Sequence, residues 1–188
     1  MKKIILASAS PRRREILKGA GLKFEIHPSS YEEVLDSDVF SPQKIETLAY
    51  NKALSVAQET DENSVIIGAD TVVVLNNKIL TKPSGRSDAI FMLKSLSGVE
   101  HQVVTGICII DKYDSKTLID HVTTTVEFEY LTDEMIEYYV DTFKPFDKAG
   151  AYGIQELPEG YVKNVNGSFE NVIGLCSQKV ISMLKTLS

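Results

Sequence analysis

The stretch SASPRRREI, residues 8–16, sets Arg12, Arg13 and Arg14 in the first turn of a helix, with Ser10 as N-cap and Pro11 at the first helical position. Helix N-termini carry partial positive charge and favour carboxylates, so three arginines there call for an anionic partner. At the third helical position, where a capping box would place Glu, this chain has Arg13. Free backbone N–H groups, the helix dipole and guanidinium forks then converge on one point, which suits a phosphate. A solvated basic face is the bland alternative, and other segments must decide between them.

Asp70 lies in VIIGADTVVVL, residues 65–75, a strand otherwise apolar on both sides. A buried carboxylate there must be paired, metal-bound or protonated. Lys52 falls on the apolar stripe Ile45, Leu48, Ala49 and Val56 of a long helix, where a charge needs solvent or an anion. Lys82 ends the strand that a turn folds back from Asp70 toward the same region. Each lysine alone reads as a snorkelling side chain. With Asp70 and the arginines they suggest a cleft in which a carboxylate holds a cation and several bases hold oxyanions. Glu32 and Glu33 with Asp70 form an all-oxygen set suited to Mg²⁺ or Mn²⁺, with Co²⁺ as a third option.

These residues need elements to position them. The spacing predicts strand 3–8, helix 11–20, strand 23–27 and helix 42–59 opened by Ser41-Pro42. A hairpin follows, turning at Asn76-Asn77 and stopped by Pro83. Then come helix 87–96, β-rich runs 101–112 and 117–130, a helix capped by Thr132, the loop DKAGAYGIQ, strand 160–165 and helix 171–186. Together they predict an α/β or α+β chain, one domain over 1–188 with no repeat or linker. Asp70 and Thr71 are adjacent, so a regular strand sends them to opposite faces. Gly68-Ala69 is expected to bend or bulge the strand so that both face the cleft; a regular ladder over 68–71 would demote Thr71.

Composition narrows the function. The 188 residues are 43% hydrophobic, enough for a sizeable core. Residues 1–23 hold seven Lys/Arg against one acid, a local +6 within a net charge of −6, so the rest carries −12. An acidic body argues against a nucleic-acid partner, and the basic end fits a small anion. No apolar run approaches the roughly 18 residues of a membrane helix, so no membrane partner is expected. Cys108 and Cys176 form no C-x-x-C pair and read as reduced buried thiols, which with a short apolar run at Ile4–Ala7 argues for a cytoplasmic protein without a signal peptide. No P-loop, dinucleotide fingerprint or nucleophile elbow occurs, and His27, His101 and His121 share no zinc spacing.

The motifs LASASPRRREIL, GADTVVVLNNKILTKP, LSGVEHQVVTG and DKAGAYGIQ resemble those of the Maf family, in order and spacing, over residues 4–175. The resemblance implies an elongated mixed β-sheet with flanking helices, two lobes around a cleft, and a fold related to the inosine triphosphatases. It also implies hydrolysis of a nucleoside triphosphate to its monophosphate and pyrophosphate with a divalent metal cation. On that basis Asp70, Lys52 and Lys82 are expected to be catalytic, Ser8, Ser10, Arg12, Arg13, Thr71 and Gln155 to bind substrate, and Glu32, Glu33 and Asp70 to ligate the metal. Arg12, Thr71 and Gln155 are similar to the subgroup acting on dTTP and UTP. The family is also associated with inhibition of septum formation, which makes a nucleotide-sensing regulator the alternative. A phosphatase releasing orthophosphate is a third reading. A homodimer is compatible with the sequence, which carries no signal for it. The family often has Pro after Gly-Leu where this chain has Gly174-Leu-Cys-Ser177, so the start of the last helix is expected to differ.

Overall fold

A computed structural model describes residues 2–34 and 37–187. The element order is β1 (Lys3–Leu6), α1 (Pro11–Gly19), β2 (Glu25–Ile26), α2 (Pro42–Ala57), β3 (Ser64–Leu75), β4 (Lys78–Leu80), α3 (Arg86–Leu96), β5 (Glu100–Asp111), β6 (Lys116–Phe128), α4 (Asp133–Phe143), a 3-10 turn (Ala149–Ala151), β7 (Val162–Asn166), α5 (Phe169–Ile173) and α6 (Ser177–Lys185). The expected elements form, with one division. The predicted helix 171–186 is two, α5 and α6, parted at Gly174, whose φ of 143° favours glycine.

One mixed seven-stranded sheet runs β2-β1-β3-β5-β6-β7, with β4 also paired to β3. β1 lies parallel to β3, while β4 and β5 are antiparallel to it. Asn76 and Asn77 both take positive φ, 50° and 63°, as a tight hairpin turn requires. Alternate residues of β3 face opposite layers. Ile66 packs with Ala49 and Ala53 of α2, and Val72 and Val74 pack with Ile45 and Leu48, all on one face. On the other face, Val65, Ile67 and Ala69 lie with Ile16 and Leu17 of α1 and Val180 and Met183 of α6. Farther along that face, Val73 joins Ala89 and Leu93 of α3 and Ile136 and Val140 of α4. These two cores are the two lobes.

The expected bend at Gly68-Ala69 is absent. The β3–β5 ladder is regular from Val65 to Val74, with Gly68 opposite Cys108, Asp70 opposite Gly106 and Thr71 opposite Thr105. The glycines serve helix packing instead. A Cβ on Gly68 would sit 2.4 Å from the Ala49 carbonyl oxygen and 2.7 Å from the Ala53 nitrogen, and one on Gly106 would sit 2.4 Å from the Ile45 carbonyl oxygen. The α2 backbone therefore lies directly on the sheet beside Asp70. Among the described residues, no helix is long and apolar enough to cross a membrane.

Gly68→Ala is expected to push α2 off the sheet and to destabilise the chain by about 1–3 kcal/mol, the usual range for overpacking. Chemical denaturation checks this; an unchanged midpoint would mean that α2 has slack above the sheet.

Candidate active site

The site begins with an interruption in backbone pairing. On the side of β3 away from β5, β1 pairs only as far as Ile67 and β4 begins only at Val73. Between them β3 presents an open edge at residues 68–72. A cleft of about 370 Å³ opens there, inside the range of small-molecule sites. Asp70 and Thr71 both line it although they point to opposite faces, because the cleft wraps around the strand edge. The premise that a regular ladder would remove Thr71 from the cleft is therefore corrected.

Arg13 spans the open edge. Its Nη1 donates to the Ala69 carbonyl at 2.9 Å and to Ser8 Oγ at 3.3 Å. Nη2 donates to Thr71 Oγ1 at 3.0 Å, and Nε to the Gly174 carbonyl at 2.9 Å. Four of its five N–H groups are thus engaged by the protein, which leaves one N–H and the charge for a ligand. Burial lowers its pKa, against which the charges of Asp70 and Glu33 act. Thr71 Oγ1 also donates to the Gly174 carbonyl at 3.1 Å and lies 2.9 Å from Thr105 Oγ1, so its hydroxyl is largely occupied. Ser8 is buried and also accepts from the Ser10 N–H at 3.2 Å; its task is to hold the approach to α1. Ser10 caps α1 through the Arg13 N–H and lines the cleft, as does Arg12, whose side chain has no hydrogen bond or ion pair among the described residues.

Across the cleft the Lys52 ammonium bridges two carboxylates. It lies 2.6 Å from Glu33 Oε1 and makes a short bond to Asp70 Oδ1. The two carboxylates are driven apart in pKa. Burial raises that of Asp70, 5% exposed, although Lys52 acts against it. Burial also opposes ionisation of Glu33, but there the bond and charge of Lys52, assisted by Lys82 and Arg13, prevail and lower the pKa. Such a split marks the carboxylate with the raised value as the better proton acceptor. Lys82 is exposed and lines the cleft beside Glu33.

Two expected residues lie elsewhere. Glu32 and Gln155 are exposed and do not line the cleft. In place of Gln155 the motif DKAGAYGIQ contributes Asp147, Lys148, Ala149 and Tyr152. Left-handed Gly150 and Ala151, with φ of 67° and 60°, turn the chain so sharply that Tyr152 is buried, its hydroxyl 2.7 Å from His101 Nε2. Lys148 was not singled out from the sequence, since a lysine beside an aspartate in a loop looks solvated. Its one signal was its place in a quoted motif.

Comparison with protein families matches residues 3–187 to the family described as Maf-like protein. The chain belongs to the Maf family. A relative in Alkaliphilus oremlandii (strain OhILAs), named dTTP/UTP pyrophosphatase, is 46% identical over 175 residues, which cover 93% of this chain and 91% of the relative. Another of the same name, in Desulforamulus reducens (strain ATCC BAA-1160 / DSM 100696 / MI-1), is 43% identical over 185 residues, 98% and 96% of the two chains. The Maf chain also shares its fold with a HAM1 protein from Coxiella burnetii, at a TM-score of 0.52 and 13% identity with both chains covered to 100%. That likeness shows the fold alone.

Lys52→Met strands Asp70 as a buried carboxylate and is expected to cost roughly 3 kcal/mol at neutral pH, the low end for a broken buried pair. Loss of the ammonium raises the Asp70 pKa further, so protonation relieves the cost as pH falls. The folded value lies above the unfolded one, hence the deficit relative to the native chain shrinks on acidification. Denaturation curves from neutral to acidic pH check this, and a pH-independent deficit would separate Lys52 from Asp70.

Proposed function

We propose that this chain hydrolyses the pyrimidine nucleoside triphosphates dTTP and UTP to the monophosphate and pyrophosphate. The observation that carries it is one buried carboxylate, Asp70, held by Lys52 opposite the N-terminus of α1 and within one cleft with Arg12, Arg13 and Lys82. Basic residues converging on one carboxylate suit an oxyanion chain attacked at a single phosphorus. The names of the Maf relatives support the base preference.

The reaction requires water to attack the α-phosphorus while the bond to the bridging oxygen breaks and pyrophosphate departs. Asp70 takes the water proton, a role its raised pKa favours. Arg12, Lys82 and the remaining N–H of Arg13 offset charge on the phosphate oxygens, and Ser10 keeps the α1 N-terminus ordered toward them. Lys52 holds Asp70 and Glu33 in place.

Among the described residues no cluster of three His, Cys, Asp or Glu side chains is arranged for a metal. Asp70 and Glu33 nonetheless fit Mg²⁺ or Mn²⁺, which take one or two carboxylates and complete their shell with water and substrate phosphate. Co²⁺ is a less suited third option for an all-oxygen set. Glu32, exposed and outside the cleft lining, would not be a direct ligand. A bound divalent ion would neutralise phosphate charge and make its water more acidic. A cytoplasmic setting belongs to the same reading, with Cys108 and Cys176 buried and free. Gln155 would read the base only if its loop folded inward. A role restricted to sensing nucleotide for septum formation is disfavoured, since a sensor has no need of a buried proton acceptor.

The test is a panel of nucleoside triphosphates with Mg²⁺ or Mn²⁺, scoring pyrophosphate and orthophosphate separately. The native chain is expected to release pyrophosphate from dTTP and UTP, and Asp70→Asn to lose at least about 100-fold of that rate, as for removal of a general base. Orthophosphate as the first product would replace the reading with a phosphatase. Binding without cleavage would favour the regulator.

A further inference from the structure

The cleft has two chemically different ends. Asp70, an even-numbered residue of β3, faces the α2 layer with Lys52 and Glu33. Val73 and Val103 face the opposite layer, where Tyr152 and Val172 belong to the same apolar core. A nucleotide whose triphosphate lies with Asp70 and the basic residues therefore places its base against that apolar wall. An apolar wall holds a base but does not orient it; a few fixed polar groups must do so.

One fixed polar group stands there. Lys148 is 9% exposed and lines the cleft beside Tyr152. Its ammonium is 2.9 Å from Asp147 Oδ1 and 3.1 Å from Glu156 Oε2. Its stem is confined too: a Cβ on Gly153 would lie 2.9 Å from Lys148 Cε and 3.0 Å from Cδ. An ammonium has three donors, of which one is given to Asp147; Glu156 contributes charge alone, since its Oε2 accepts no hydrogen bond among the described residues. The other two are available to the cleft, from a side chain that packing and charge have already ordered.

Resting on the reading of the reaction given above, we propose that Lys148 is a specificity-determining residue that donates a hydrogen bond to the C4 carbonyl of the pyrimidine. An ammonium only donates. Uracil and thymine present an acceptor at C4, whereas cytosine presents an amino group there, so Lys148 selects for the first two and repels the third. C4 is also remote from the glycosidic bond, at the end of the nucleotide that reaches farthest from Asp70. Asp147 and Glu156 are positioning residues, which keep the ammonium aimed. The thymine methyl lies beside the contact and leaves it intact.

Lys148→Met preserves the stem and removes the donor. With the native chain active, the variant is expected to raise KM for UTP and dTTP by about 10- to 100-fold, the range for a lost charge-assisted hydrogen bond, with little change in kcat. KM for CTP should rise less or fall, so the preference for UTP over CTP collapses. Glu156→Gln, which leaves Lys148 present but less firmly held, should move the same ratio in the same direction by less, and it serves if the first variant does not fold. An equal loss on UTP and CTP would assign Lys148 to phosphate or sugar and overturn the proposal, as would an unchanged ratio in both variants. Failure of the reaction reading is distinct: the native chain itself would then release pyrophosphate from no triphosphate, and both ideas would fall together.

Discussion

The site depends on the unpaired stretch of β3 between the last residue that pairs with β1 and the first that pairs with β4. Backbone groups exposed at a sheet edge must find partners, and those that find none are costly when buried. Here one guanidinium takes over part of that duty: Arg13 binds the Ala69 carbonyl from β3 and the Gly174 carbonyl from the break between α5 and α6. The edge remains accessible to a ligand because a side chain, and not another strand, closes it. The same guanidinium brings positive charge to within reach of Asp70, so structural repair and anion binding are joined in one residue. Arg13 cannot be exchanged for lysine on these terms, since a single ammonium cannot reproduce a fork directed at four separate partners.

The second constraint is the contact between α2 and the sheet. Gly68 and Gly106 let the helix backbone approach at positions 45, 49 and 53, and that approach sets the distance from which Lys52 reaches Asp70. Larger residues in either place would lift the helix and lengthen the reach of its lysine. The geometry of the ion pair is thus written into two residues that carry no functional group.

How far the sequence was legible follows from these particulars. Asp70 stood out because a carboxylate in an apolar strand demands an explanation, and Lys52 because a charge interrupts the apolar stripe of a helix; both signals are local. Gly68 was misread as a bend because its cause is the backbone of α2, which arrives from fifteen and more residues upstream in the chain and leaves no local mark. Thr71 raised a doubt that was sound for a flat sheet and fails for a cleft that wraps around an edge, which only the pairing limits of β1 and β4 reveal. Gln155 was carried by resemblance and lies outside the cleft, while Lys148 was passed over because burial of its stem depends on Gly153 and on the left-handed turn at Gly150 and Ala151.

A cleft that straddles a sheet edge has a consequence that a pocket on one face lacks. Odd and even residues of a single strand serve different parts of one ligand: Asp70 belongs to the charged end on the α2 side, Val73 to the apolar end on the other. Because the period of two is rigid, a slip of one residue in the β3–β5 register would exchange the two environments and destroy both. The long regular ladder from Val65 to Val74 is therefore part of the site's machinery. It fixes the orientation in which a molecule with a charged tail and an apolar head can enter, before any group that reads the base is engaged.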